Sequence, residues 1–251
     1  MSRFSKADWL RRPVPARVAD MQTLRAIIFD VDGTLAETER DGHRPAFNQA
    51  FADFGLAWHW DETLYGELLA VTGGKERIRH YAERYDPACA ARPDFAALVT
   101  SLHTAKTAHY VQRVETGHLP LRPGVARLIH DARAAGLCLA IATTTSPANI
   151  HALLHASLAP DAPDWFEVIG AGDIVQNKKP APDIYLWVLA RLGLPATRCL
   201  AIEDSENGLQ SALGAGLRCL VTPGEYSRNQ DFAGAWRVLE SLEKVGLGKL
   251  G

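Results

Sequence analysis

Five short apolar runs punctuate the chain at residues 24–29 (LRAIIF), 137–142 (LCLAIA), 166–170 (FEVIG), 199–202 (CLAI) and 218–221 (RCLV). None alternates strictly between apolar and polar, the pattern of strands covered on both faces. Helical stretches fall between them at 125–135, 146–154, 183–192 and 207–215. Strand–helix alternation of these lengths predicts an α/β fold, a Rossmann-like parallel sheet with helices on both faces. Residues 40–119 break the rhythm and contain no convincing strand. There Phe95, Leu98, Val99, Leu102, Lys106, His109, Tyr110 and Val114 recur three and four apart, one face of a long helix. Residues 61–70 and 75–85 also read as helical. The expected organisation is therefore an N-terminal extension at 1–20, a core domain from 21–38 and 121–251, and an all-helical insertion at 39–120. Leu121-Arg122-Pro123-Gly124 reads as the return linker.

Bulk properties narrow the function classes. Of 251 residues, 47% are hydrophobic and 22% charged, as in an ordinary globular protein, and the formal charge is -2. So even a balance gives no nucleic-acid footprint and no polybasic membrane surface. The partner expected is a small molecule, and the expected state a monomer. Cys89, Cys138, Cys199 and Cys219 are scattered without a CxxC pair, which argues against a disulfide framework or zinc site and for a reducing, cytoplasmic setting. No apolar run approaches the ~18 residues that span a bilayer. The basic start, MSRFSKADWLRRPVPARVADM, lacks the apolar segment of a secretory signal, and Arg11-Arg12 alone is no twin-arginine signal. It reads as an extension, or as sequence upstream of a natural start at Met21. The six tryptophans, Trp58 and Trp60 among them, are expected to serve packing.

The chemistry sits at strand ends. Asp30-Val31-Asp32-Gly33-Thr34 follows the first strand directly. Side chains two apart in extended chain project to the same side, so Asp30 and Asp32 point together from the carboxyl end, where open α/β sheets place ligands. Two such carboxylates repel unless a cation or a proton intervenes. One can attack phosphorus and help hold Mg²⁺ while the other gives and takes a proton; Gly33 permits the tight turn. Thr143, at the end of the second strand, can donate to a phosphate oxygen, with Thr144 beside it. Plain N-capping by Thr145 or Ser146, with Pro147 at the first helical position, also accounts for that stretch. Lys178-Lys179-Pro180 offers a point charge to phosphate, with Lys179 preferred for its adjacency to the proline. Glu203-Asp204-Ser205 gives hard oxygen ligands for Mg²⁺, or simple helix capping. Four such segments in this order, each after a strand, make coincidence a poor account.

The set resembles the haloacid dehalogenase-like superfamily, whose four motifs match the DVDGT stretch, Thr143, Lys179 and Glu203-Asp204. The helical insertion resembles its C1-type cap. Within the superfamily the chain is similar to the CbbY-like sugar phosphatases from about Arg25 to Gly234, mainly through TGGKER and KKPAPDIY. The resemblance implies Asp30 as nucleophile, Asp32 as acid and base, and Mg²⁺ held by Asp30, Asp204 and the Asp32 carbonyl, with Glu203 nearby. It also implies a phosphorylated sugar as substrate, the best-known role in the group being removal of the 1-phosphate from xylulose-1,5-bisphosphate. Gly73, Gly74, Lys75 and Arg77 at a helix start suit a second, non-reacting phosphate, or a plain glycine turn. Glu37, Glu39, His43 and Arg44, where the chain enters the insertion, are candidates for sugar hydroxyls or phosphate. A β-phosphoglucomutase-like phosphomutase would use the same motifs. A non-catalytic regulatory protein on this scaffold would be expected to have lost one of them, and all are present.

Overall fold

The computed structural model describes residues 24–117 and 119–250. The expectations placed on residues 1–20 and on Met21 lie outside them.

The sheet is built from β1 (Ala26–Phe29), β2 (Cys138–Ala142), β3 (Val168–Gly170), β4 (Cys199–Glu203), β5 (Arg218–Val221) and β6 (Arg237–Val238). Their spatial order is β3-β2-β1-β4-β5-β6, all parallel. The chain reverses its direction of winding at β1, which puts the carboxyl ends of β1, β2 and β4 around one crevice.

The two faces of the sheet are built differently, and alternation along each strand is the cause. Ile27, Phe29, Leu139, Ile141, Leu200, Ile202 and Leu220 face one side. There they meet α6 (Val125–Ala134) and α7 (Pro147–Ser157) through residues such as Leu128, Ile129, Ile150 and Leu153. The other face carries mainly small side chains, Ala26, Ala140, Ala142, Cys199, Ala201 and Cys219 beside Ile28 and Val221, and packs against α8 (Asp183–Leu192) and α9 (Glu206–Gly214). The runs look continuously apolar because both faces are buried. All four cysteines are free.

Between β1 and α6 the described residues form a π-helical turn (Glu39–His43) and five α-helices: α1 (Arg44–Asp53), α2 (Glu62–Leu68), α3 (Gly74–Tyr85), α4 (Pro87–Ala90) and α5 (Phe95–Glu115). They enclose an aromatic core of their own, with Phe47, Phe51, Trp58, Trp60, Tyr65 and Tyr81 in ring contact. Trp58 and Trp60 pack as expected, and Trp58 Nε1 also donates to Asp86. The long helix α5 serves two masters. Val99 and Leu102 belong to this aromatic core, whereas Tyr110 and Val114 belong to the core under the sheet. No helix of the described residues is long and apolar enough to cross a membrane.

The two crossings into and out of the insertion are pinned beside the nucleophile loop. Ala36 bridges antiparallel to Leu121, and the Arg122 amide donates to the Leu35 carbonyl. The Arg122 guanidinium donates to the carbonyls of Gly33, Thr222 and Pro223 and pairs with Glu37 at 3.2 Å. A planar fork with five donors suits this gathering of loop carbonyls.

Candidate active site

The ends of β1, β2 and β4 and the loop between β3 and α8 supply the side chains of the site. Asp30 follows β1, and its amide still donates to the Ile202 carbonyl of β4, so the loop starts in register. Gly33 turns the chain at φ +81°, and a Cβ there would lie 2.3 Å from Asp204 Oδ2. Only glycine lets the two loops approach so closely.

Lys179 Nζ donates to Asp30 Oδ1 and to Glu203 Oε1, both at 2.6 Å, and the Tyr185 hydroxyl donates to the same Glu203 oxygen at 2.5 Å. Side-chain exposure is 6% for Lys179 and 1% for Glu203, so this is a buried ion triad. Burial lifts the Asp30 carboxyl to about 7 against the pull of Lys179, with the charges of Glu203 and Asp32 adding to the rise. Burial, then the charges of Asp30 and Glu203, push Asp204 well above its ordinary range. Lys179, despite its burial, is driven the other way from a buried lysine by these two carboxylates and holds its proton more tightly.

Asp30, Glu203 and Asp204 can bring one carboxylate oxygen each within 4.8 Å of the others. The second oxygen of Glu203, Oε2, is buried with no hydrogen-bond partner. Hard oxygen donors, mutual repulsion and an orphaned carboxylate oxygen fit Mg²⁺. Ser205 Oγ accepts from the Gly208 amide at the start of α9, so the helix cap falls to Ser205 and leaves the Asp204 carboxylate for other work.

Asp32 lies outside that carboxylate cluster. Its Oδ1 accepts from Thr38 Oγ1 at 2.5 Å and lies 2.8 Å from His43 Nε2; His43 Nδ1 is in turn 2.8 Å from Lys106 Nζ. Burial raises the Asp32 carboxyl, but the His43 charge, the bonds from His43 and Thr38, and the Lys106 charge together hold it down to about 2. Burial lowers Lys106 to about 8 in spite of Asp32 and Glu39. The nucleophile candidate is therefore dressed by the sheet domain, and its neighbour two residues on by the insertion. Asp32, expected from sequence to offer a metal its carbonyl, has its carboxylate Oδ1 taken by Thr38 and His43.

Thr143 is buried, and its hydroxyl accepts only a long bond, 3.4 Å, from the Thr145 amide, leaving its proton to give. Ser146 caps α7 with Pro147 in the first turn, as the capping reading expects, and this cap does not use the Thr143 hydroxyl. A cavity of about 250 Å³ opens over Asp30, Asp32, Thr143, Thr144, Lys179 and Asp204, and Glu37, Glu39, Gly73 and Arg77 also line it. Glu39 accepts from the Tyr65 hydroxyl at 2.5 Å, which in turn receives Arg77 Nη1 at 3.0 Å. Glu37 faces Arg122 and the Glu225 amide.

Arg44 departs from expectation. It is absent from the residues lining this cavity and pairs with Glu62 at 3.3 Å, because the first turn of α1 carries its side chain toward α2. Lys75 and Gly74 line a neighbouring cavity of about 290 Å³ together with Thr144, His103 and Lys178. A narrow space lined by Asp32, Gly74, His103 and Thr144 shares lining residues with both. Sequence reasoning missed Lys106, Tyr65, Tyr185 and Ser227. Ser227 donates to the Asp204 carbonyl at 2.7 Å, fixing that loop.

Residues 24–216 match the haloacid dehalogenase-like hydrolase family. The plasmid-encoded CbbY protein of Cupriavidus necator is 54% identical over 219 residues, 87% of this chain and 86% of the relative. The crystal structure of CbbY from Rhodobacter sphaeroides in complex with phosphate superposes with a TM-score of 0.83 at 50% identity, over 89% of this chain and 97% of that one. An aspartate-to-asparagine mutant of the same protein, solved in complex with xylulose-1,5-bisphosphate, matches equally well at 49% identity over the same shares. On fold, motif order and these likenesses together, the chain belongs to the haloacid dehalogenase-like hydrolases and, within them, to the CbbY proteins.

Proposed function

We propose that the protein is a Mg²⁺-dependent phosphatase that removes phosphate from a small phosphorylated sugar through an aspartyl-phosphate on Asp30, with xylulose-1,5-bisphosphate, cleaved at its 1-phosphate, as the leading substrate. The observation that carries this reading is the different dress of two neighbouring carboxylates: Asp30 on a buried ammonium, Asp32 on a hydroxyl and an imidazole. Pairs of acids in unlike environments are how one site divides nucleophilic from acid–base work. The substrate rests on the bisphosphate found in the Rhodobacter sphaeroides relative.

In the first step an Asp30 oxygen attacks phosphorus, the P–O bond to the sugar breaks, and Asp32 passes a proton to the departing sugar oxygen. The incoming phosphate brings negative charge beside Asp32 and so raises its proton affinity from the low value of the empty site. In the second step Asp32 takes a proton from water as that water attacks phosphorus, the P–O bond to Asp30 breaks, and the carboxylate is restored. Lys179 and Thr143 stand where they can neutralise phosphoryl oxygens through both steps. Asp30, Asp204 and the Asp32 carbonyl would hold Mg²⁺, with Glu203 behind them, and the ion would supply further neutralisation of the phosphoryl group.

Two results test this. Chelation with excess EDTA is expected to reduce phosphate release by ~100-fold or more, and added Mg²⁺ to restore it; full activity in chelator would remove the metal from the account. The screen that decides the substrate measures phosphate release from pentose and hexose mono- and bisphosphates. Isomerisation without net phosphate release would select the phosphomutase instead.

The second cavity is the place for a non-reacting phosphate, because Lys75 and Lys178 both reach it and Thr144 and Ser146 add hydroxyls. Replacing Lys75 with Ala is expected to raise KM for xylulose-1,5-bisphosphate about tenfold while barely moving that for p-nitrophenyl phosphate. Equal effects on both would move the second phosphate elsewhere.

A further inference from the structure

Lys75 and Lys178 do not stand open in that cavity. Lys75 Nζ donates to Asp173 Oδ2 at 2.6 Å, and Lys178 Nζ donates to Asp173 Oδ1 at 2.5 Å and to the Gly172 carbonyl at 2.7 Å. Lys75 comes from the start of α3 in the insertion, whereas Asp173 and Lys178 come from the loop between β3 and α8. One carboxylate thus bridges two ammonium groups across the gap between the two parts of the molecule.

Apart from Glu76 at its edge, the surroundings suit an anion larger than that carboxylate. Thr144 and Ser146 supply hydroxyls around the cavity, which holds about 290 Å³, whereas Thr104 and Thr107 on its wall give their protons to the Thr100 and His103 carbonyls one turn back. His103 lines it too; burial, then the charges of Lys106 and Lys75, push its imidazole down to about 4, so it is neutral at pH 7 and can donate or accept. Two ammonium groups against one carboxylate leave the triad with an excess positive charge. A carboxylate with one oxygen on each ammonium copies the way a phosphate would use two of its oxygens. Asp173 is also the partner best able to leave: its side chain is 57% exposed, against 30% for Lys75 and 14% for Lys178.

We propose that Asp173 is a displaceable stand-in for the second phosphate of the substrate. It latches the insertion to the sheet domain in the empty enzyme, and it swings into solvent when a bisphosphate brings its own anion between Lys75 and Lys178. The proposal rests on the second-phosphate reading given above. It makes Asp173 a specificity-determining residue: a bisphosphate replaces the latch with a stronger one, since a dianion offers each ammonium more charge than a carboxylate. A monophosphate leaves the latch as it was. The arrangement selects for the second phosphate by making its absence no worse than the empty state and its presence a net gain in closure.

Asp173→Asn keeps the shape and removes the competing charge. The expected result is a KM for xylulose-1,5-bisphosphate lowered about 3- to 10-fold, with kcat nearly unchanged and KM for p-nitrophenyl phosphate unchanged or raised, because a monophosphate loses the latch and puts nothing in its place. A bisphosphate KM that stays put or rises overturns the stand-in role, as does an equal fall for both substrates, which would mean a general change in cap opening. Lys75→Ala, measured in parallel, separates the two layers. If it spares the bisphosphate, the underlying phosphate site is wrong; if it discriminates between substrates while Asp173→Asn does not, the site stands and the latch falls.

Discussion

Asp30→Asn is expected to lose at least about 10⁴-fold in kcat, because an amide cannot form the acyl phosphate on which both steps depend. The substitution is nearly isosteric and removes one of several charges crowded into a buried site. Burial with Glu203 and Asp32 already works against ionised Asp30, and Lys179 retains Glu203 as a partner. The fold should therefore survive, with a thermal midpoint equal to or above that of the parent. Binding should survive as well, so the variant ought to hold substrate without turning it over, measurable by calorimetric titration. Steady phosphate release by a purified Asn variant would displace Asp30 from its assigned role.

The second large effect concerns Lys179. Its ammonium answers two buried carboxylates at 2.6 Å each. Lys179→Ala leaves those charges without their partner, which costs about 3–5 kcal/mol of stability in sites of this kind. It also removes a cation from the phosphoryl group, worth about 10²–10³-fold in rate. Loss of fold could masquerade as loss of chemistry, so the informative companion is Lys179→Met combined with Glu203→Gln. Deleting charge on both sides should return much of the lost stability, read from the melting midpoint, while the rate stays low. A double variant that recovered turnover would reduce Lys179 to a structural counter-ion.

Much of the architecture was legible because burial on both faces writes a strand as an unbroken apolar run. The five runs locate β1 to β5 within two residues at each end. The sixth strand escaped for the opposite reason. Arg237 and Val238 are exposed, and they join the sheet through backbone bonds, such as the Leu239 amide to the Val221 carbonyl, that composition does not record. Helix α1 carried a usable signal in Ala46, Phe47, Ala50 and Phe51, spaced one and four apart. Among site residues, those at strand ends could be placed from sequence since the sheet fixes where strand ends meet. Lys106 could not. It lies in the stripe that predicted α5, where its charge looked like an interruption, and only tertiary packing sets it on His43. Arg44 shows the reverse: proximity in sequence to a functional loop says little once a helix begins and turns each residue by about 100°.

One consequence of α5 reaches beyond catalysis. Its first half is a wall of the aromatic cluster, and its second half, through Tyr110 and Val114, is part of the floor beneath the sheet. A rod shared by two apolar interiors couples their melting: neither can come apart without exposing the other's side chains to water. Cooperativity is thereby spread over a chain whose helical insert would otherwise denature on its own.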